Sequence, residues 1–118
     1  MPAAKYDLVI EEGAKFELDI TWTDNSGTAI DLTGLSARLR VKRNKTDATT
    51  LAEWTSDAGD ITIGGSAGTI AVSIGADITA GLDWYDFKPY YNLEVYDALD
   101  SSNVTRLLEG RIKYSRDI

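Results

Sequence analysis

The sequence predicts an all-β protein, an antiparallel immunoglobulin-like β-sandwich of about seven to eight strands formed as one domain over residues 1–118. Three observations predict it. Apolar and polar residues alternate with period two in several short segments, the pattern of strands with one face in a core and one in water. Turn-forming clusters of Gly, Asn, Asp and Ser separate those segments at short, regular intervals. The composition is rich in Thr, Ile, Val, Tyr and Trp and poor in runs of helix formers. "Immunoglobulin-like" describes architecture only, because the chain has no cysteine and so lacks the cysteine pair of a true immunoglobulin domain.

Lys5 to Ile10 reads as a first short strand, with Tyr6, Leu8 and Ile10 on one face and Asp7 on the other. Glu11-Glu12-Gly13 ends it. The clearest alternation follows: Phe16, Leu18, Ile20 and Trp22 against Glu17, Asp19, Thr21 and Thr23. Asp24-Asn25-Ser26-Gly27 supplies a turn, since Asp and Asn bond back to their own backbone and Gly tolerates positive φ. Ile30 and Leu32 are expected to reach the core while Asp31 and Thr33 satisfy nearby amides. The next strand sets Ala37, Leu39 and Val41 against Arg38, Arg40 and Lys42. Pairing it antiparallel with the preceding strand, residue 20 opposite 39, would face Glu17 with Lys42 and Asp19 with Arg40.

Asn44 to Ala48 is polar and turn-like. Thr49 to Thr55 is a weaker strand carrying Leu51 and Trp54, and Asp57-Ala58-Gly59-Asp60 turns it. Ile61 to Ile63 and Thr69 to Ile74 form a predicted hairpin across Gly64 to Gly68. Ala76 to Leu82 fits one helical turn, with Ile78 and Leu82 sharing a face. Pro89 removes the middle of the aromatic segment Asp83 to Tyr91 from any central strand. Tyr91, Leu93 and Val95 open the next strand, with Asn92, Glu94 and Tyr96 facing away. The last strand runs from about Val104 to Ser115, and Leu107 on its polar face together with Gly110 in mid-strand predicts a bulge.

The function classes excluded are broad. Without cysteine or histidine there is no thiolate nucleophile, no disulfide, no imidazole base and no ordinary zinc site. No pair of carboxylates stands out as an acid–base couple, so no catalytic residue, cofactor or metal site is assigned. The formal net charge of −7 argues against binding nucleic acid through the overall field. No apolar run is long enough for a membrane span. The N-terminus lacks a signal-peptide layout, which makes cytoplasmic synthesis the expectation. Asn44-Lys45-Thr46 and Asn103-Val104-Thr105 match a glycosylation sequon but are read as chance without a secretory signal.

Two clusters are candidate protein contacts. Arg38, Arg40, Lys42, Arg43 and Lys45 gather five of the twelve basic residues, to face either an acidic partner or acidic side chains on neighbouring strands. Trp84, Tyr85, Phe87, Tyr90 and Tyr91 place five aromatics beside Pro89, either as an exposed anchor or as a lid over the core. Turn residues with side-chain oxygens (Asp24, Asn25, Asp57, Asp60, Asp97, Asp100) offer calcium-type ligands, with ordinary turn chemistry as the simpler reading. A sugar platform would need Trp54 and Trp84 exposed.

From Gly13 to Val41 the run G-x-x-F-x-L-x-I-x-W-x-D-x-x-G-x-x-I-D-L-T-G-x-x-A-R-L-x-V resembles small virion proteins of tailed bacteriophages. These are similar to the N-terminal domain of phage baseplate upper proteins. The matching positions are Gly13, Phe16, Leu18, Ile20, Trp22, Asp24, Gly27, Ile30 to Gly34, Ala37, Arg38, Leu39 and Val41; Tyr91 to Tyr96 and Val104 to Gly110 extend the likeness. The motifs are structural. The resemblance implies a non-enzymatic subunit of the virion, in the tail, baseplate or adaptor, with other phage virion proteins as partners and many symmetric copies. A head decoration protein is the alternative, and a carbohydrate-binding module for host glycan is the alternative from another class. A baseplate upper protein continues into a helix or fibre segment that this sequence does not show, so the expectation is a standalone subunit.

Overall fold

A computed structural model describes residues 4–44, 46–82, 84, 86–97 and 99–115. Strand accounts for 53% of the described residues and helix for 7%, so the all-β reading holds. Among the described residues there are nine strand segments: β1 (Ala4–Lys5), β2 (Leu8–Glu11), β3 (Phe16–Thr21), β4 (Ser36–Lys42), β5 (Ala52–Thr55), β6 (Ile61–Ile63), β7 (Thr69–Ile74), β8 (Tyr90–Asp97) and β9 (Asp100–Ser115). A short helix, α1 (Ala76–Thr79), follows β7. One sheet runs β1-β9-β8-β4-β5, with β2 also on β9; the other runs β3-β7-β6.

The chain changes sheet four times, so neighbours in sequence are often not neighbours in the sheet. The pairing expected between β3 and β4 does not occur. β3 pairs with β7, placing Glu17 opposite Ser73 and Asp19 opposite Ala71, while β4 lies between β5 and β8. The cause lies in the connection. Trp22, Ile30 and Leu35 are half-buried against the core and Leu32 is fully buried. Burying these side chains carries the connection over the core from one sheet to the other, where a tight hairpin would have left them in water. β7 suits β3 because Ile70, Val72 and Ile74 match Ile20, Leu18 and Phe16 in register on the inward face.

The hairpin of β6 and β7 forms as the sequence predicts, through a 3₁₀ turn at Gly65–Ala67. Gly68 closes that turn with φ of +69°, and a Cβ there would lie 2.7 Å from the Trp22 carbonyl oxygen. Only glycine allows both the left-handed backbone and the close approach that lets Trp22 N donate to Gly68 O at 2.8 Å.

At the N-terminus the fold departs from a purely antiparallel sheet. β1 and β2 pair parallel to β9, Ala4 beside Leu108 and Leu8 beside Ile112. Leu8 and Ile10 are buried but Tyr6, expected on the same face, is 55% exposed. The strand is interrupted at Tyr6-Asp7, which cross against Gly110: a Cβ on Gly110 would meet Tyr6 O at 2.5 Å and Asp7 Oδ1 at 2.8 Å. The predicted bulge is there too. Leu93 opposes Leu108 and Glu94 opposes Arg106, leaving Leu107 as the extra residue of β9.

The buried side chains of both sheets form one cluster, including Ile10, Leu39, Val41, Ile70, Val72, Tyr91, Leu93 and Ile112. Helix α1 shows Ile78 to solvent at 48% exposure and buries Thr79 completely, so the expected Ile78–Leu82 face does not form. Thr79 Oγ1 lies 2.8 Å from the Ala14 carbonyl and 3.0 Å from that of Ala76, and the Thr79 carbonyl accepts from the Tyr114 hydroxyl. One buried polar residue thereby ties α1 to the β2–β3 turn and to the end of β9.

Candidate interaction surface

Alternation on β4 buries Ala37, Leu39 and Val41 and turns Arg38, Arg40 and Lys42 outward. The strands beside it determine what these cations meet. Across the sheet, Thr55, Arg38, Glu94 and Arg106 form one row, and Glu53, Arg40, Asn92, Glu109 and Lys5 form the next. Lys42, Tyr90 and Arg111 form a third, and Lys113 beside Val9 follows. This outward face therefore carries Lys5, Arg38, Arg40, Lys42, Arg106, Arg111 and Lys113 against Asp7, Glu11, Glu53, Glu94 and Glu109. Its charge is opposite in sign to that of the protein, which is −7 overall.

Glu94 anchors the face. Its side chain is only 8% exposed. Oε1 accepts from Arg38 Nε at 2.8 Å and Oε2 from Arg106 Nη2 at 3.2 Å. Burial pushes the carboxyl up, but the two guanidinium groups more than offset it and hold it below its ordinary value. Arg38 also stacks on Tyr96, 4.5 Å from the ring centre. Arg40 Nε donates to Glu53 Oε2 at 2.9 Å in a more exposed pair. The acidic partners of the basic run are thus Glu53 and Glu94, not Glu17 and Asp19, because β5 and β8 flank β4. Lys42 makes no ion pair among the described residues. A cleft of about 160 Å³ opens between Arg40, Lys42, Tyr90, Asn92, Glu94 and Arg106. Burial and a hydrogen bond to Glu109 push the Tyr90 hydroxyl up.

The aromatic segment divides. Trp84 is buried at 6% exposure, edge-on to Trp54 at 6.5 Å and to Tyr114 at 6.3 Å between ring centres. Trp54 is buried too, so neither ring offers a face to a sugar. Tyr91 is fully buried, its hydroxyl donating to the Tyr6 carbonyl. Phe87 is half-buried under Arg43, which lies 4.5 Å from its ring centre, and Arg111 Nη1 donates to Lys88 O at 3.1 Å. These contacts strap the segment onto the sheet. Of the predicted contacts, only Tyr90 joins Arg38, Arg40 and Lys42 on the outward face; Tyr85 and Lys45 lie outside the described residues.

Asp24, Asp31, Asp97 and Asp100 serve their own turns, Asp97 Oδ1 by accepting from Leu99 N at 2.9 Å. Asp24 Oδ1 accepts from Ser26 N at 2.9 Å, Ser26 Oγ at 2.7 Å and Thr28 N at 3.0 Å; Asp31 and Asp100 do the same for Thr33 and Ser102. Those bonds hold all three below the ordinary range. Among the described residues no three or more Asp, Glu, His or Cys converge on one point.

Sequence reasoning missed Lys5, Arg106, Arg111, Lys113 and the central Glu94. The outward alternation of Arg111 and Lys113 was readable, but not that β8 and β9 stand beside β4. Compared with known proteins, the chain matches no family model and no curated sequence.

Proposed function

We propose that this protein is a non-enzymatic structural subunit of a tailed-bacteriophage virion, in the tail, baseplate or adaptor. It assembles by protein–protein contact, on an immunoglobulin-like sandwich of the two sheets. The virion assignment rests on the resemblance of Gly13 to Val41, a run that builds β3, the buried crossing and β4. The observation that carries the binding role is the basic outward face of the six-stranded sheet on an acidic protein, a surface suited to an acidic protein partner. Pre-pairing Arg38, Arg40 and Arg106 with glutamates fixes their geometry before contact, which lowers the ordering cost of binding. A sugar-binding role finds no support in Trp54 and Trp84, whose rings are buried.

The test is gradient co-sedimentation of the purified protein with particles assembled without it. Binding to tails is the expected result. Binding to heads alone would replace the tail reading with a decoration role, and binding to neither would overturn the virion assignment.

A further inference from the structure

The cations are not spread over this molecule. From residue 15 to 35 and from 56 to 82, the segments that build the three-stranded sheet and its loops, there are seven acids (Glu17, Asp19, Asp24, Asp31, Asp57, Asp60, Asp77) and a single base, Lys15. The outward face of that sheet carries mostly small side chains. Glu17 sits beside Ser73, Asp19 beside Ala71 and then Thr62, and Thr21 beside Thr69. Lys15 reaches Glu17 at 3.4 Å in an exposed pair, and Asp19 has no ion pair among the described residues. Both sheets bury their inward faces in the same cluster, so this acidic face and the basic face of the six-stranded sheet each point away from it. One chain therefore presents two outward sheet faces of opposite charge.

We propose that the acidic partner of the basic face is a second copy of this chain, which seats the Glu17/Asp19 face of its three-stranded sheet over Lys42, Arg111 and Lys113. The inference rests on the docking role proposed above and names the partner. Three features favour a second copy. The faces are complementary in sign. The acidic one carries no bulky side chain to hold the sheets apart. Lys42 and Lys113, like Asp19, have no ion pair of their own to break among the described residues. Because the two surfaces differ, the contact is heterologous, and every open assembly keeps one face of each kind free at its ends. Copies then add head to tail, into a ring or a stack. A footprint of three short strands is small for a protein interface, so each contact is weak and charge-driven.

Sedimentation equilibrium of the full chain tests this. At about 20 mM salt the average mass is expected to climb with concentration well above that of the 12.9 kDa monomer, and to return to it by about 0.5 M salt. The double variants Glu17→Lys/Asp19→Lys and Lys42→Glu/Lys113→Glu should each be monomeric alone at low salt. Mixed in equal amounts they should associate again, because each then offers the face the other needs. All four positions are on outward faces, and unchanged circular dichroism and melting temperature would show that the variants fold. A wild type that stays monomeric at low salt, or single-face variants that associate as the wild type does, would overturn the proposal. Particle co-sedimentation separates this from the docking role. A monomeric wild type whose binding to particles is lost only in Lys42→Glu/Lys113→Glu keeps the basic face as a docking surface for a different acidic protein and refutes self-stacking alone.

Discussion

Replacing Glu94 with Gln should destabilise the protein at neutral pH and leave it no less stable than the wild type in acid. Glu94 is 6% exposed and takes one arginine on each carboxylate oxygen, Arg38 at 2.8 Å and Arg106 at 3.2 Å. A charge-assisted hydrogen bond of the Arg38 kind contributes roughly 1.5–3 kcal/mol. The Arg106 side chain is 44% exposed, and solvent screening leaves that pair about 0.2–1 kcal/mol. Gln keeps the shape and one weaker acceptor, so the net cost is about 1–2 kcal/mol, or roughly 3–6 °C in melting temperature per kcal/mol at this length. The pH dependence gives the claim its sign. Burial raises the Glu94 carboxyl and the arginines lower it further, so the folded value lies below the ordinary 4.5. Its contribution is then present in full above that ordinary value and is lost as pH falls through the depressed folded one. Urea melts of both proteins from neutral pH to about pH 3 read the difference directly. A gap that stays constant down to pH 3, or no gap at neutral pH, would refute the reasoning. Glu53→Gln, which removes the exposed Arg40 pair, is the control and should cost less than about 1 kcal/mol.

Thr79→Val should cost about 1–3 kcal/mol in chemical denaturation, because the Ala14 carbonyl loses its buried donor, and Thr79→Ser should recover most of it. Gly110→Ala drives a methyl to within 2.5 Å of the Tyr6 carbonyl, so amide exchange should show β1 freed from β9 while β3 and β7 stay protected; unchanged exchange at Lys5 and Tyr6 would contradict the crossing. Tryptophan fluorescence should report Trp54 and Trp84 as shielded from iodide and Trp22 as partly quenched, measured on variants that each keep one tryptophan. Strong quenching at Trp84 would reopen the aromatic segment as an exposed anchor.

The sequence by itself determined which residues point inward. Period-two alternation on β3, β4, β7 and β8 is local, since adjacent side chains on a strand must point to opposite sides, and so Leu39, Val72 and Leu93 could be placed in the core from neighbours alone. The hairpin of β6 and β7, the turn at Asp24 to Gly27 and the bulge at Leu107 were legible for the same reason: each is fixed within a few residues. Only the tertiary structure decided which strands stand side by side. Alternation is the same whichever partner a strand takes, so Arg38 could be seen to face outward but not to meet Glu94, 56 residues away, instead of an acid on β3. That choice is made by the buried crossing at Trp22 to Leu35, which sends β4 into the other sheet, and by the parallel return of β1 and β2 beside β9. The separation of charge into one basic and one acidic face follows from it, because it sums over strands that the chain order keeps apart.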